Sequence, residues 1–154
     1  MGGSEHSGVP VNGWNLARRD LPYRLRCWIP SRRAAINNAV DEVCRLAVRC
    51  GSPEDRQADL EIALREALAN AISHGNAARP GRRVFLRCYA GPGAGILVAV
   101  RDEGDGFDPN NVPDPRSADR MHLTHGRGLL LMRELMDRLE YRRNGSEVVL
   151  FQKL

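Results

Sequence analysis

The chain has 154 residues, of which 42% are hydrophobic and 27% are charged, and its formal net charge at pH 7 is +4. This length and composition indicate one globular domain with one hydrophobic core and exclude a disordered or fibrous chain. The positive charge comes from arginines scattered among 19 acidic residues, which disfavours a nucleic-acid-binding surface, so we expect no direct nucleic-acid partner.

Residues 1–20 are rich in glycine and polar residues and contain no continuous apolar segment. They predict a flexible tail rather than a secretory signal. A cytoplasmic location is therefore expected, with the ordered domain spanning residues 21–154.

A strand and two helices are predicted after the tail. Residues 23–29 alternate apolar and basic side chains and predict a half-buried strand. Ser31 is predicted to cap the first helix and Gly51 to end it, and the pair Ser52 and Pro53 is predicted to open the second helix. Each helix carries an apolar stripe: Ile36, Val40, Val43, Ala47 and Cys50 in the first, and Leu60, Ala63, Leu64, Ala67, Leu68, Ala71 and Ile72 in the second.

The second helix also carries polar residues beside its stripe. Glu66 and Asn70 lie about 40° apart on one flank of the helix. An amide oxygen at Asn70 can bind Mg²⁺, and a carboxylate one turn earlier can polarise a hydroxyl group beside the same phosphate. The alternative is that both side chains are simply solvated. His74, on the other flank, is expected to be packed and hydrogen bonded.

A hairpin and a long loop follow. Residues 84–90 and 95–102 predict two antiparallel strands joined by a glycine-rich turn. The longest strongly apolar run, residues 95–100, is far shorter than the roughly 20 residues of a membrane-spanning helix, so no membrane crossing is expected. Residues 108–125 contain three prolines and no sustained period, and a loop of that length is usually a lid, a binding loop or disordered.

The strand before the long loop ends in a carboxylate followed by two glycines. Asp102 can accept a hydrogen bond from the exocyclic amine of adenine, which guanine lacks at that edge. Gly104 and Gly106 allow a tight turn and a close approach of a ligand. A plain acidic turn fits the same pattern equally well.

The helix after the long loop is predicted to open at Gly126 and Gly128. Free N–H groups at a helix start can bind a phosphate, and Arg127 can add positive charge. An ordinary capping or packing role for these glycines is the alternative.

The last predicted element is a hairpin over residues 139–154 that turns at Asn144 and Gly145. The strands and helices are grouped along the chain rather than strictly alternating. This order predicts an α+β fold, a two-layer sandwich in which a mostly antiparallel mixed sheet is covered on one face by helices.

The four cysteines form no CxxC pair and have no histidine at zinc-ligand spacing. This pattern favours buried reduced thiols over a metal site. The residues concerned are Cys27, Cys44, Cys50 and Cys88.

Four segments together resemble the Bergerat-fold ATPases, the superfamily of gyrase, heat-shock chaperone and histidine-kinase ATP domains. Residues 66–76 (EALANAISHGN) resemble its N box, and residues 102–107 (DEGDGF) resemble its first glycine box. Residues 126–132 (GRGLLLM) resemble the second glycine box, and residues 144–151 (NGSEVVLF) the closing strand motif. Within the superfamily, the small size, the HGN ending and GRGLLLMRELMD are most similar to bacterial anti-sigma factors that are also serine kinases.

The resemblance, which runs from about Tyr23 to Leu154, implies an ATP site and a role for each matched residue. It implies that Asn70 binds Mg²⁺, that Glu66 is the general base and that Asp102 holds adenine. Ser146 stands where the superfamily often has threonine, and it keeps the hydroxyl group. The other residues expected to shape the nucleotide pocket are Gly104, Gly106, Gly126, Arg127 and Gly128.

The resemblance also implies partners and a homodimer. One partner is a sigma factor held inactive, and the other is an anti-anti-sigma protein that is phosphorylated on serine. The long loop contains no lysine, and its candidate phosphate contacts are Arg116, Arg120 and Thr124. A protein-serine kinase is the favoured hypothesis, and an ATP-binding module that acts only by sequestering a partner stays open.

Overall fold

The structure is a computed structural model that describes residues 18–111 and 124–154. Residues 1–17 and 112–123, and with them most of the predicted tail and loop, lie outside the described part. No helix in the described part is long and apolar enough to cross a membrane.

The elements are β1 (Tyr23–Pro30), α1 (Ile36–Arg49), α2 (Glu54–Asn70), β2 (Arg83–Gly91), β3 (Gly95–Arg101), α3 (Thr124–Leu135), β4 (Arg138–Arg142) and β5 (Glu147–Gln152).

The five strands form one sheet in the order β1-β2-β3-β5-β4. All four neighbouring pairs are antiparallel. The predicted two-layer α+β sandwich is therefore confirmed, and so are the hairpin of β2 with β3 and the hairpin of β4 with β5.

The main core lies between the helices and one face of the sheet. Both predicted apolar stripes are buried there, as the helical periodicity requires. The sheet contributes alternate residues because successive strand side chains point to opposite faces. The opposite face carries a smaller apolar cluster of Leu21, Leu97, Ala99, Val149 and Phe151.

Both predicted serine caps are wrong. The Oγ of Ser31 accepts a hydrogen bond from Nδ2 of Asn76 at 3.0 Å, and α1 begins only after a 3-10 turn over Arg33–Ala35. Pro53 occupies the N-cap of α2 with an extended backbone, so Ser52 lies one position too early to cap that helix. Gly51 does end α1, with a φ of +87° that favours glycine.

The four cysteines are free. Cys50 and Cys88 are buried, as predicted, whereas Cys27 and Cys44 are half-buried. Burial raises the pKa of the Cys88 thiol well above its usual value, so this side chain acts as a small apolar group in the core.

Candidate functional site

A cleft of about 360 Å³ opens where the end of α2, the end of β3, α3 and the β4–β5 turn meet. Ligand pockets usually have volumes of roughly 300 to 1,000 Å³, so the cleft is large enough for a small molecule. Part of its wall is apolar, and polar groups approach from several elements. The lining residues used below are Asn70, His74, Asp102, Met132, Tyr141 and Ser146.

The chain leaves α2 through a π-helical turn over Ala71–Gly75. The N–H of Asn76 donates to the carbonyl of Ala71 at 2.7 Å. This bond joins residues five positions apart, as in a π-helix, rather than four apart as in an α-helix. The turn places Gly75 against the end of β3. It also changes the helical phase, so His74 is exposed at the cleft. The prediction that His74 is packed is wrong for this reason.

Glu66 and Asn70 meet α3 at Gly128. A Cβ atom at Gly128 would lie 2.6 Å from Oε2 of Glu66 and 3.3 Å from Nδ2 of Asn70. Both side chains are half-buried. Gly128 therefore provides the space in which the carboxylate and the carboxamide lie side by side at the edge of the cleft.

Asp102 is held at the cleft by the backbone on both sides of it. Its N–H donates to the carbonyl of Ser146 at 2.9 Å, and its carboxylate Oδ1 accepts from the N–H of Gly104 at 2.8 Å. Burial raises the pKa of Asp102, while the hydrogen bond from Gly104 and the nearby Arg82 oppose this rise. A half-buried carboxylate of this kind gains from a ligand that donates a hydrogen bond to it.

Two glycines allow the π turn and the Asp102 turn to touch. A Cβ atom at Gly75 would lie 2.1 Å from Oδ2 of Asp102, and a Cβ atom at Gly104 would lie 1.9 Å from the carbonyl oxygen of Gly75. Neither position has room for a side chain. Gly104 was predicted as a pocket residue, whereas no role was predicted for Gly75.

Gly106 and Ser146 join the Asp102 turn to the β4–β5 turn. Gly106 has a φ of +81°, and a Cβ atom there would lie 1.9 Å from the carbonyl oxygen of Asn144. The hydroxyl of Ser146 donates to the carbonyl of Arg143 at 2.9 Å. The predicted Asn144 turn thus forms part of the cleft wall.

The apolar wall of the cleft includes residues that sequence reasoning missed. Phe107 and Tyr141 pack edge to face with ring centroids 5.1 Å apart, and burial raises the pKa of Tyr141 to about 12. Leu129 and Met132 come from one face of α3. Their spacing of three residues indicates that they share a face of the helix, but it does not show that this face meets the cleft.

The structure brings together some of the predicted site residues but not all. Asn70, Asp102, Gly106 and Ser146 line one cleft, and Gly104 and Gly128 lie against its polar side chains.

The start of α3 differs from the prediction. The helix begins at Thr124, so Gly126 and Gly128 lie inside it rather than at its first residue. Gly126 is buried and Arg127 is exposed, and neither is among the described residues that line the cleft. Arg116, Arg120 and the side chain of Thr124 lie outside the described residues.

Asn70 is the residue expected to bind a magnesium ion, and it lines the cleft. The described residues contain no group of three or more His, Cys, Asp or Glu side chains that could bind a metal together. Mg²⁺ keeps most of its waters and takes few protein ligands when it binds with a phosphate group. One amide oxygen at the cleft edge is compatible with that chemistry.

Comparisons with known proteins give two findings. Residues 29–153 match the family described as Histidine kinase-like ATPase domain. One similar solved structure is the histidine kinase domain of the blue-light activated histidine kinase from Erythrobacter litoralis EL346, with a TM-score of 0.47 and 19% identity. That comparison covers 82% of this chain and 62% of the other, so the chain spans less than two thirds of that structure. A comparison with curated proteins gives no match.

Proposed function

Since the chain belongs to the histidine kinase-like ATPase domain family, we propose that it is an ATP-dependent protein-serine kinase that also acts as an anti-sigma factor. Membership of this family implies an ATP-binding domain. The observation that supports phosphoryl transfer best is the meeting of Glu66 and Asn70 at Gly128, beside the cleft. Transfer requires positioning, a metal ligand and a group that orients the nucleophile.

Adenine binding in this proposal depends on Asp102. The exocyclic amine of adenine donates to the Asp102 carboxylate, which burial has deprived of part of its hydration. The base lies against apolar side chains that include Met132 and Tyr141. Guanine carries a carbonyl oxygen where adenine carries the amine, so the carboxylate would repel it.

Transfer to the partner's serine depends on Glu66. The serine oxygen attacks the γ-phosphorus of ATP while the Glu66 carboxylate accepts the hydroxyl proton. The bond from the γ-phosphorus to the bridging oxygen breaks, and ADP leaves with that electron pair. Asn70 would hold Mg²⁺ through its amide oxygen, and the bound ion neutralises charge on the phosphates.

The regulatory partners in this proposal are a sigma factor and an anti-anti-sigma protein. The kinase sequesters the sigma factor and phosphorylates the anti-anti-sigma protein on serine, and the active form is a homodimer. This part rests on the resemblance of the N box, its HGN ending and the second glycine box to anti-sigma kinases.

The proposal is tested with ATP labelled on its γ-phosphate and a candidate anti-anti-sigma protein. The wild type should label a serine of that protein. Glu66→Gln should bind ATP with an affinity within about threefold of the wild type and lose about a hundredfold in transfer rate, because it removes the base. Asn70→Ala should instead weaken the binding of Mg-ATP itself.

Glu61→Gln is the matched control, because Glu61 lies on the exposed side of α2 and pairs with Arg65. It should transfer phosphate at the wild-type rate. If Glu66→Gln also transfers phosphate at that rate, Glu66 is not the base.

A second candidate function is an ATP-binding regulatory module that acts only by sequestration. One observation favours it: Glu66 is not among the described residues that line the cleft. Tight ATP binding and capture of the sigma factor without any label on the partner would support this second function.

A further inference from the structure

We propose that Asn76 is a positioning residue that sets the adenine selectivity of the cleft by fixing the turn that carries Asp102. The proposal rests on the adenine contact described above. Asn76 is the last residue of the segment that resembles the N box, and it is fully buried.

The Asn76 side chain connects three separate segments. Its Nδ2 donates to Oγ of Ser31, after β1, at 3.0 Å and to the carbonyl of Arg83, at the start of β2, at 2.9 Å. Its Oδ1 accepts from the N–H of Glu103 at 2.8 Å. The carboxamide is thus satisfied on both ends, which is the arrangement that makes a buried polar group specify one geometry.

Glu103 follows Asp102 directly, so the bond from Asn76 fixes the peptide next to the carboxylate. The Glu103 side chain is held in turn by the N–H of Arg83 at 2.6 Å. On the other side, the N–H of Asp102 donates to Ser146. The backbone is therefore held both before and after the Asp102 side chain.

Asn76 also controls how closely the end of α2 approaches Asp102. Gly75 precedes Asn76 and packs directly on the Asp102 carboxylate. The hydrogen bond from the Glu103 N–H to Asn76 therefore also holds Gly75 against the Asp102 carboxylate. Hydrogen bonds weaken steeply with distance and angle, so a small movement of the Asp102 turn would remove the adenine contact while leaving the rest of the cleft in place.

A purely structural role for Asn76 makes a different prediction from a positioning role. Loss of general stability would weaken every nucleotide by the same factor. Loss of positioning would weaken only nucleotides that carry the 6-amino group. The ratio of two affinities therefore separates the two roles.

The test compares ATP with purine riboside triphosphate, which lacks the 6-amino group, by calorimetry with Mg²⁺. The wild type should prefer ATP by about tenfold or more, as expected for one hydrogen bond to a carboxylate. Asn76→Ala should reduce the preference to below about threefold while changing the affinity for the analogue little. Ser31→Ala removes one hydrogen bond of the Asn76 side chain but leaves its bond to Glu103. This variant should therefore keep the wild-type preference for ATP.

An unchanged preference in Asn76→Ala, or equal weakening of both nucleotides, would overturn the inference. If Asn76→Ala does not fold, amide hydrogen exchange of Glu103 in the nucleotide-free wild type decides instead. Slow exchange is expected because its N–H is bonded to a buried carboxamide, and exchange at the rate of an exposed amide would overturn the inference. A wild type that binds neither nucleotide contradicts the proposed function, and the Glu103 exchange still decides whether Asn76 holds the Glu103 peptide.

Discussion

At Asp102, folding and ligand binding favour different side chains. Burial penalises the ionised carboxylate in the folded chain, yet the proposed adenine contact requires a strong acceptor. Asp102→Asn should therefore leave thermal stability unchanged or raise it, because the amide loses the charge and its oxygen can still accept from Gly104. The same change should weaken ATP about tenfold or more. Thermal unfolding and calorimetry on one sample measure both effects.

The raised pKa of Asp102 also predicts a pH dependence. Its folded pKa lies above the unfolded value, so ionisation removes stability as the pH rises from the unfolded pKa through the folded pKa. Asp102→Asn lacks this loss. Its stability relative to the wild type should be greatest above that window and smaller below it, whereas a constant difference across the acid range would contradict the assignment.

At the residue scale, the sequence predicted those site residues that a local motif identifies. Asn70, Asp102 and Ser146 do reach one cleft, although their roles stay predictions. Gly75 and Asn76 were missed because their importance arises from contacts with residues more than twenty positions away. His74 was misplaced because the 3.6-residue period was continued through a π turn.

At the scale of elements, the contact of α2 with α3 depends on Gly128. Gly128→Ala would place a methyl group on the Glu66 carboxylate, and that flexible end can move aside at little cost. Stability should be unchanged or higher by up to about 1 kcal/mol, because alanine is the better helix former. Phosphate transfer should fall about tenfold or more, because the base is displaced, as the labelled-ATP assay would measure.

The double variant supplies the control for this prediction. If Gly128→Ala acts through the carboxylate, adding it to Glu66→Gln should cause almost no further loss of transfer. Independent, multiplying losses would show that Gly128 acts in another way.

The exit from α2 is a strained segment. Ala77 and Ala78 both have a φ of +51°, a conformation that costs L-residues about 1 to 2 kcal/mol. Ala78 is exposed, and Ala78→Gly should raise the free energy of unfolding by up to about 1 kcal/mol, after allowance for the more flexible unfolded chain.

Ala69→Gly, within α2, is the matched control in denaturant unfolding. It should lower the free energy of unfolding by about 1 kcal/mol. Destabilisation by both changes would show that Ala78 is not strained.

The elements themselves were predicted well because each carries a long periodic signal. The apolar stripes of α1 and α2 are buried as their spacing requires, whereas the alternating strand β1 buries only Ile29. Helix starts were predicted poorly, as Ser31 and Ser52 show. A serine caps a helix only where the backbone turns beside it. The Ser31 hydroxyl instead accepts a hydrogen bond from Asn76, and Pro53 rather than Ser52 occupies the N-cap of α2.

At the scale of the whole molecule, element order was enough to predict an α+β sandwich. The order of strands in the sheet was not predicted, because it depends on which distant strands pair. That order, β1-β2-β3-β5-β4, places the end of β3 beside the start of β5. Asp102 and Ser146 therefore become neighbours although 44 positions separate them in the sequence.

The proposed function requires an adenine nucleotide to bind between α2, the Asp102 turn and α3. The most direct measurement is a crystal structure with Mg²⁺ and a non-hydrolysable ATP analogue. The 6-amino nitrogen of adenine should lie within about 3.2 Å of an Asp102 carboxylate oxygen, and the phosphates should lie on the Asn70 side. A nucleotide bound elsewhere, or a base that does not contact Asp102, would contradict it.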